Sequence, residues 1–414
     1  MSLKNRSTRL LILTVAATAM LLPGASLAQA GYGGNGAAKG PAGNAFYNPS
    51  SKQIKAGKPG SIIWSRQIKY TADGRVALRS ASKTMLVLYR SLSNKGKPIA
   101  VSGTVDVPKG KAPKGGWKMV SFAHGTTGAA DACAPSRTAA GGPADGYIAY
   151  ASASYDGWLK GGYAILRTDY EGLGTAGPHP YLIGASEGRG VVDIALAARN
   201  LLGTKLLSKD WAIGGHSQGG HAALFAASLA PKLAPGLRLK GVFAYAPASH
   251  IYEQKLAIAG LGDSFKGLTG LATLILYSAA IEAGVDPASL VQPQIAALLG
   301  KIEEVCSGEL GSAAIFGDIA PNAVLRPGVN TDAVDKVLKA MNPNVKIKVP
   351  VLILQGKDDG TVFPAFTDAL EVELVKSGGK VTYTKFDGLN HVSIVTDSKP
   401  QAAVLAFLRA QLGR

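Results

Sequence analysis

The feature that most constrains the fold of this chain is a repeated switch in hydrophobic period. Short apolar runs bounded by turn residues alternate with longer stretches whose apolar residues recur at helical spacing. Residues 85–90 and 99–107 read as strands of a meander, and 118–123 and 163–168 as short buried strands. Residues 190–202 read as an amphipathic helix, 211–214 as a strand, 221–230 as an apolar helix and 239–246 as a strand. The rhythm resumes with strand 349–355, helix 366–377, strand 381–386 and helix 401–412. Parallel neighbours are joined by crossovers, usually helical, that cover both faces of the sheet. The pattern therefore predicts an α/β fold with a mostly parallel central sheet flanked by helices. Between about Ser249 and Asn342 the rhythm fails, and helices such as 268–282 and 332–341 stand alone. A helical insertion between two sheet strands reads as a cap. Residues 268–281 are apolar enough to raise a membrane segment. They are too few to span a bilayer, which needs about 20 residues, and Lys266 and Glu282 frame them. A buried or substrate-facing cap helix is the better reading.

The N-terminus reads as an export signal, residues 1–30. Lys4, Arg6 and Arg9 form a basic head, residues 10–22 are free of charge, and Pro23-Gly24 breaks the run before small residues at Ala28 and Ala30. Residues 31–60 are rich in glycine and proline, too breaker-rich for regular elements, and 31–45 read as a flexible leader. The expected division is core 46–248, cap 249–342 and core 343–414. Export places the protein in a secreted or periplasmic, oxidising setting. Cys133 and Cys306, the two cysteines of the chain, then read as a single disulfide. Neither stands in a metal-binding or redox spacing, and no metal or cofactor is expected.

The chemistry centres on Gly215-His216-Ser217-Gln218-Gly219, with Gly220 next in the chain. It stands between a strand and an apolar helix. A serine hydroxyl is a weak nucleophile unless it is presented and deprotonated, and a sharp strand-to-helix turn presents it only if small residues flank it. The N–H of Gln218 then faces the site where an oxyanion would form, with the helix N-terminus behind it. Gly184-Ala185-Ser186-Glu187-Gly188 fits the same spacing, but it enters its helix from a loop. Ser186 reads as a helix N-cap.

The expected chain order is serine, acid, histidine. Of six histidines, His391 alone lies far downstream of Ser217, in the loop after strand 381–386. The acid is expected after the apolar strand 351–354, where Asp358 and Asp359 are adjacent. Asp359, deeper in the loop, is preferred, and Asp358 reads as an Asx-turn residue. Asp387, near His391 in sequence, is set aside. His124-Gly125-Thr126-Thr127-Gly128 supplies the second oxyanion donor, with Thr126 named, Thr127 as its fallback and His124 as a structural support. Ser217 would attack, His391 would act as base then acid, and Asp359 would fix the His391 tautomer.

These motifs resemble the α/β-hydrolase superfamily, and more closely the bacterial branch of the secretory lipase family, relatives of the capped yeast lipase A type. Phe46-Tyr47-Asn48-Pro49, residues 101–105, 123–128, 133–136 and 168–174, and the Ser217 pentapeptide carry the likeness, which runs from about Phe46 to the C-terminus. The resemblance implies a carboxylic-ester hydrolase with a helical cap over an acyl-binding tunnel. It also implies a disulfide tying the oxyanion-loop side to the cap. The expected substrate is an acyl or aromatic ester. Other readings are an esterase acting on cell-wall polysaccharide or polyester, a serine exopeptidase, and a non-catalytic binding protein of the same fold. The net charge is +17, or +14 without the three basic signal residues. The basic residues are scattered and aromatics few, so nucleic acid is not an expected partner, and the charge reads as loose attraction to an anionic envelope or matrix.

Overall fold

The structure is a computed structural model and describes residues 37–68, 78–138, 142–258 and 260–413. The expected signal 1–30 and the start of the leader lie outside these residues.

Nine strands form one sheet: β1 (Ile62–Ile68), β2 (Ala81–Leu92), β3 (Pro98–Pro108), β4 (Trp117–Ala123), β5 (Tyr163–Thr168), β6 (Leu207–His216), β7 (Arg238–Tyr245), β8 (Val351–Gly356) and β9 (Val381–Phe386). Their order across the sheet is β1-β2-β3-β5-β4-β6-β7-β8-β9. The first three strands and β5 pair antiparallel. From β5 to β9 every pairing is parallel. The helices of eight or more residues, among those described, are α1 (Asp145–Lys160), α2 (Gly184–Leu202), α3 (Gln218–Leu233), α4 (Ile251–Ile258), α5 (Thr269–Ala283), α6 (Asp332–Ala340), α7 (Pro364–Lys376) and α8 (Ser398–Leu412).

The inner parallel strands β4, β5 and β8 are buried at nearly every position because both faces are covered, and successive side chains enter opposite cores. Along β8, Val351 and Ile353 join the core beneath α2, α3 and α7, while Leu352 and Leu354 join the one beneath α1 and α8. In β7, Val242 and Ala244 face the first core and Phe243 and Tyr245 the second.

Several elements are longer than expected or new. Helix α2 begins at Gly184 rather than near 190, and β6 begins at Leu207. β1 is new, because Ser65, Arg66 and Gln67 interrupt its apolar pattern. The breaker-rich stretch 31–60 is expected to lack regular elements, yet a 3-10 turn at Gly43–Tyr47 and a short helix at Ser51–Lys55 lie there. Burial explains the first: Phe46 and Tyr47 are inside, and Phe46 packs edge-on against Trp64. A capping box between Ser50 and Gln53 explains the second.

Among the described residues between β7 and β8 the regular elements are helices, with isolated bridges from Val291 to Leu325 and from Cys306 to Gly128. Residues 263–283 are, among those described, the single stretch long and apolar enough to cross a membrane by length and composition. Its regular part, α5, is about 22 Å long. Leu274, Ala279 and Ala280 are buried among Val334, Leu338 and the core-side Tyr181, Leu182 and Ile183. Cys133 and Cys306 are joined, 5.5 Å apart at Cα and 173 residues apart in sequence. Closing so long a loop is worth about 5 kcal/mol in the chain-entropy account.

One buried carboxyl on α2 opposes folding at neutral pH. Asp193 is almost fully buried and accepts a hydrogen bond from Ser91 Oγ at 2.7 Å. Burial raises its pKa from 3.8 to about 6, with the Ser91 bond and Arg189 opposing. The folded-state value lies above the unfolded one, so its contribution is complete below pH 3.8 and is lost as the pH rises through about 6. The loss amounts to about 3 kcal/mol. Asp193→Asn keeps an acceptor for Ser91 and carries no charge. Thermal unfolding across pH 4–8 is expected to show the variant melting above wild type at pH 8 and level with it near pH 4. Equal melting at pH 8 would contradict the assignment.

Candidate active site

β6 ends at His216, and the chain turns at once into α3. Ser217, between them, has φ 57° and ψ −119°, a backbone state that L-residues rarely adopt. Its surroundings hold it there. Ser217 N–H donates to the Tyr245 carbonyl at 2.9 Å, and its own carbonyl accepts from His221 N–H at 3.1 Å and Ala248 N–H at 3.2 Å. The flanking glycines are sterically required. A Cβ on Gly215 would lie 1.9 Å from the Gly219 carbonyl oxygen, and one on Gly219 would lie 1.9 Å from that of Ala123. The sequence folds this way locally because no side chain stands where these backbones meet.

His391 reaches Ser217 from the loop after β9. Its Nε2 lies 2.9 Å from Ser217 Oγ and its Nδ1 2.7 Å from Asp359 Oδ2. Asp359 comes after β8 and is buried. Its Oδ1 accepts the Thr361 and Val362 N–H groups, both at 2.9 Å, and Oδ2 also accepts from Gln355 Nε2 at 3.1 Å. With the carboxylate an acceptor throughout, Nδ1 of His391 carries the proton and Nε2 is left to accept from the serine. The loops interlock: Asp358 N–H donates to the Leu389 carbonyl at 3.0 Å, and Lys357 N–H to that of Phe386 at 2.9 Å.

The structure thus brings Ser217, His391 and Asp359 together. The Asp358 side chain is exposed. The Asx-turn expected of Asp358 is made instead by Asp359, whose Oδ1 holds the turn while Oδ2 holds His391. Asp387 is exposed and pairs with Lys357 at 2.6 Å.

Gln218 is the first residue of α3, so its N–H has no acceptor within the helix. Thr126 lies in the loop after β4, and its hydroxyl meets Tyr181 Oη at 2.5 Å. Ser307 closes on this loop, donating its N–H to the Thr127 carbonyl at 2.9 Å and its hydroxyl to that of Thr126 at 3.3 Å. The Cys133–Cys306 disulfide lies directly beside it, since Gly128 bridges Cys306. His124 is buried, with Nδ1 on the Gly125 carbonyl at 2.7 Å and its own carbonyl accepting from Tyr170 Oη at 2.7 Å. Burial draws its pKa down to about 4, so it stays neutral in a supporting position. Ser186 is not an N-cap. It lies inside the first turn of α2, where its hydroxyl donates to Glu171.

Two residues around the site escape a reading of the sequence. His216 Nε2 lies 2.9 Å from the His391 carbonyl and its Nδ1 2.9 Å from Tyr150 Oη, tying the elbow to the histidine loop. Burial, then the neighbouring His391, hold its pKa well below the ordinary imidazole value. Gln355 braces Asp359 while accepting from Thr367 at 2.8 Å. Only the His216 position in the pentapeptide carries a signal. Among the described residues, no group of three or more His, Cys, Asp or Glu could hold a metal ion.

The secretory lipase profile matches residues 148–412. A secreted triacylglycerol lipase of Malassezia restricta is 26% identical over 383 residues, which span 89% of this chain and 78% of that protein. Among solved structures, Candida antarctica lipase A superposes with a TM-score of 0.69 at 20% identity, covering 83% of this chain and 80% of that one. The rice cell wall degrading esterase LipA of Xanthomonas oryzae gives 0.66 at 20% identity, covering 86% and 98%. Both share the sheet and flanking helices described above. With more than half of its length matched by one family profile, the chain belongs to the secretory lipase family of α/β-hydrolases and is a carboxylic-ester hydrolase.

Proposed function

We propose that the protein is a secreted serine esterase or lipase that works through Ser217, His391 and Asp359 and an acyl-enzyme. The observation that carries this reading is the unbroken relay of hydrogen bonds from Ser217 Oγ through His391 to Asp359. Ser217 Oγ attacks the ester carbonyl carbon while His391 Nε2 takes its proton. The tetrahedral oxyanion accepts the N–H groups of Gln218 and Thr126. The carbonyl re-forms as the C–O bond to the alcohol breaks, and His391 returns its proton to the departing oxygen. Water, deprotonated by His391, then attacks the acyl carbon; the carbonyl re-forms as the bond to Ser217 Oγ breaks, His391 returns the proton to Oγ, and the acid leaves. Asp359 keeps the ring in the accepting tautomer and stabilises its positive charge.

In this reading residues 46–248 and 343–414 are the catalytic core, 249–342 the cap, 1–30 an export signal and 31–45 a leader. The disulfide and the named activity of the Malassezia relative favour export and an ester with an apolar acyl group. Rates on p-nitrophenyl esters from acetate to palmitate give the acyl preference, and activity confined to acetate would argue against an apolar acyl site.

A fluorophosphonate probe is expected to label wild type and not Ser217→Ala; labelling of the variant would move the nucleophile elsewhere. Asp359→Asn is expected to lower kcat by about 10⁴-fold, the scale of a triad with the wrong tautomer. Asp358→Asn, on an exposed side chain, should stay within about threefold of wild type, and the opposite ranking would reassign the acid. Gly219→Ala forces a methyl against the Ala123 carbonyl. It should cost at least about 100-fold in kcat/KM even in material that remains folded by circular dichroism, since misplacement by about 1 Å has that effect.

A further inference from the structure

Against the first turn of α3 lies another buried carboxylate. Glu187, from the first turn of α2, is fully buried. Its Oε1 accepts the Leu182 N–H at 2.8 Å and Gln218 Nε2 at 2.7 Å. Its Oε2 lies 3.0 Å from His221 Nδ1. The other nitrogen of His221 meets the Met341 carbonyl at 2.9 Å and must carry a proton there, so a further proton is shared between Nδ1 and Oε2.

Two of these partners, Gln218 and Leu182, lead back to the oxyanion side. Gln218 carries the N–H next after the nucleophile. Its side-chain amide also meets His179 Nε2 at 3.0 Å, and His179 Nδ1 bonds the Glu171 carbonyl at 2.8 Å. Leu182 sits at φ 59°, a strained state for a leucine, and Glu187 holds its N–H. The preceding residue, Tyr181, presents its hydroxyl to Thr126 Oγ1, and its carbonyl accepts from Ser278 Oγ of α5 at 2.9 Å.

We propose that Glu187 is the positioning residue of the oxyanion site, holding Gln218 directly and Thr126 through Leu182 and Tyr181. This rests on Gln218 and Thr126 being the two donors. Glu187 touches neither the substrate nor Ser217. It fixes where the two N–H groups point, and these act on the tetrahedral state more than on bound ester.

The experiment measures kcat and KM on p-nitrophenyl butyrate and Ki for an alkylboronic acid, which adds to the serine as a tetrahedral mimic. Ser217→Ala comes first: full activity there overturns the underlying site reading, whatever Glu187 does. With that variant inactive, Glu187→Ala is expected to lower kcat about 10- to 100-fold, less than outright loss of a donor. KM should stay within about threefold of wild type and the boronate Ki should rise in step with the fall in kcat. Glu187→Gln should recover kcat to within about fivefold of wild type, because its carbonyl can accept from Leu182 and Gln218 and its amide can donate to His221. Tyr181→Phe leaves the buried pair intact and should raise the boronate Ki about 3- to 10-fold; an unchanged Ki overturns the path to Thr126. Folded Glu187→Ala with wild-type kcat, or with a lowered kcat and an unmoved Ki, overturns the proposal. So does Glu187→Gln as impaired as Glu187→Ala. If Glu187→Ala does not fold, the Gln and Phe variants decide by the same criteria.

Discussion

The meeting of three backbones at the elbow governs the rest of the molecule. The start of α3 comes so close to the ends of β4 and β6 that no Cβ fits at Gly215 or Gly219, and one on Gly220 would lie 2.8 Å from Pro247 Cα after β7. That approach is possible only with β4, β6 and β7 side by side and parallel, as they are. It also explains how Ser217 keeps a costly backbone state of the order of 1–3 kcal/mol. The bonds to Tyr245, His221 and Ala248 come chiefly from β7 and its sequel, so the strain is held by the sheet rather than by the turn itself.

The elbow lies between two buried carboxylate–imidazole pairs of nearly the same geometry. Asp359 meets His391 at 2.7 Å, and Glu187 meets His221 at 3.0 Å. What separates them is the far nitrogen of each ring. His391 Nε2 faces a hydroxyl, which can give up its proton. His221 Nε2 faces a peptide carbonyl, which has none to give and does not bind one at any ordinary pH. The first pair is the one that, in the proposed mechanism, moves a proton between substrate and enzyme. The second can only hold its neighbours, with His221 wholly buried against the Met341 carbonyl just after α6. Two residues of the same chemical type therefore divide into transfer and support by the partner of one nitrogen.

Much of this is legible in the chain, and the reasons are local. The strand, turn and helix around Ser217 declare themselves because glycine is the one residue that survives the close approach. β8 declares itself by apolar continuity, β9 by alternation of apolar and polar residues, and both by the polar loops at their carboxyl ends. The adjacent aspartates are separable because depth in the loop decides which one is buried. β1 is not legible, since the last strand of the sheet, paired along one side with β2 and bridged at Ser65 to Lys39 on the other, tolerates Ser65, Arg66 and Gln67. Nor is the support of the site. Glu187 lies in a stretch that mimics a second elbow, and its partners, Leu182, Gln218 and His221, are set by packing between α2 and α3. His216 and Gln355 are read only once β6, β8 and the β9 loop are in place. Spacing in sequence records backbone requirements, whereas hydrogen bonds between elements depend on the finished fold.

The loop after β4, proposed above to supply the second oxyanion donor, shows the same dependence at its strongest. Residues 124–128 lie just after β4, early in the chain, yet the carbonyls of Thr126 and Thr127 are both taken by Ser307. The disulfide at Cys306 fixes that contact from the next residue. Tyr181, which holds the Thr126 hydroxyl, is itself held by Ser278 of the helical insertion. The loop has little means of fixing itself, for Gly125 and Gly128 lend it freedom rather than shape. Its geometry is thus supplied across about 180 residues, and closing such a separation by loose contacts alone is entropically costly. A covalent link beside Ser307 lowers that cost in the unfolded chain, and the helical insertion, through Ser307 and Ser278, helps to fix residues 124–128.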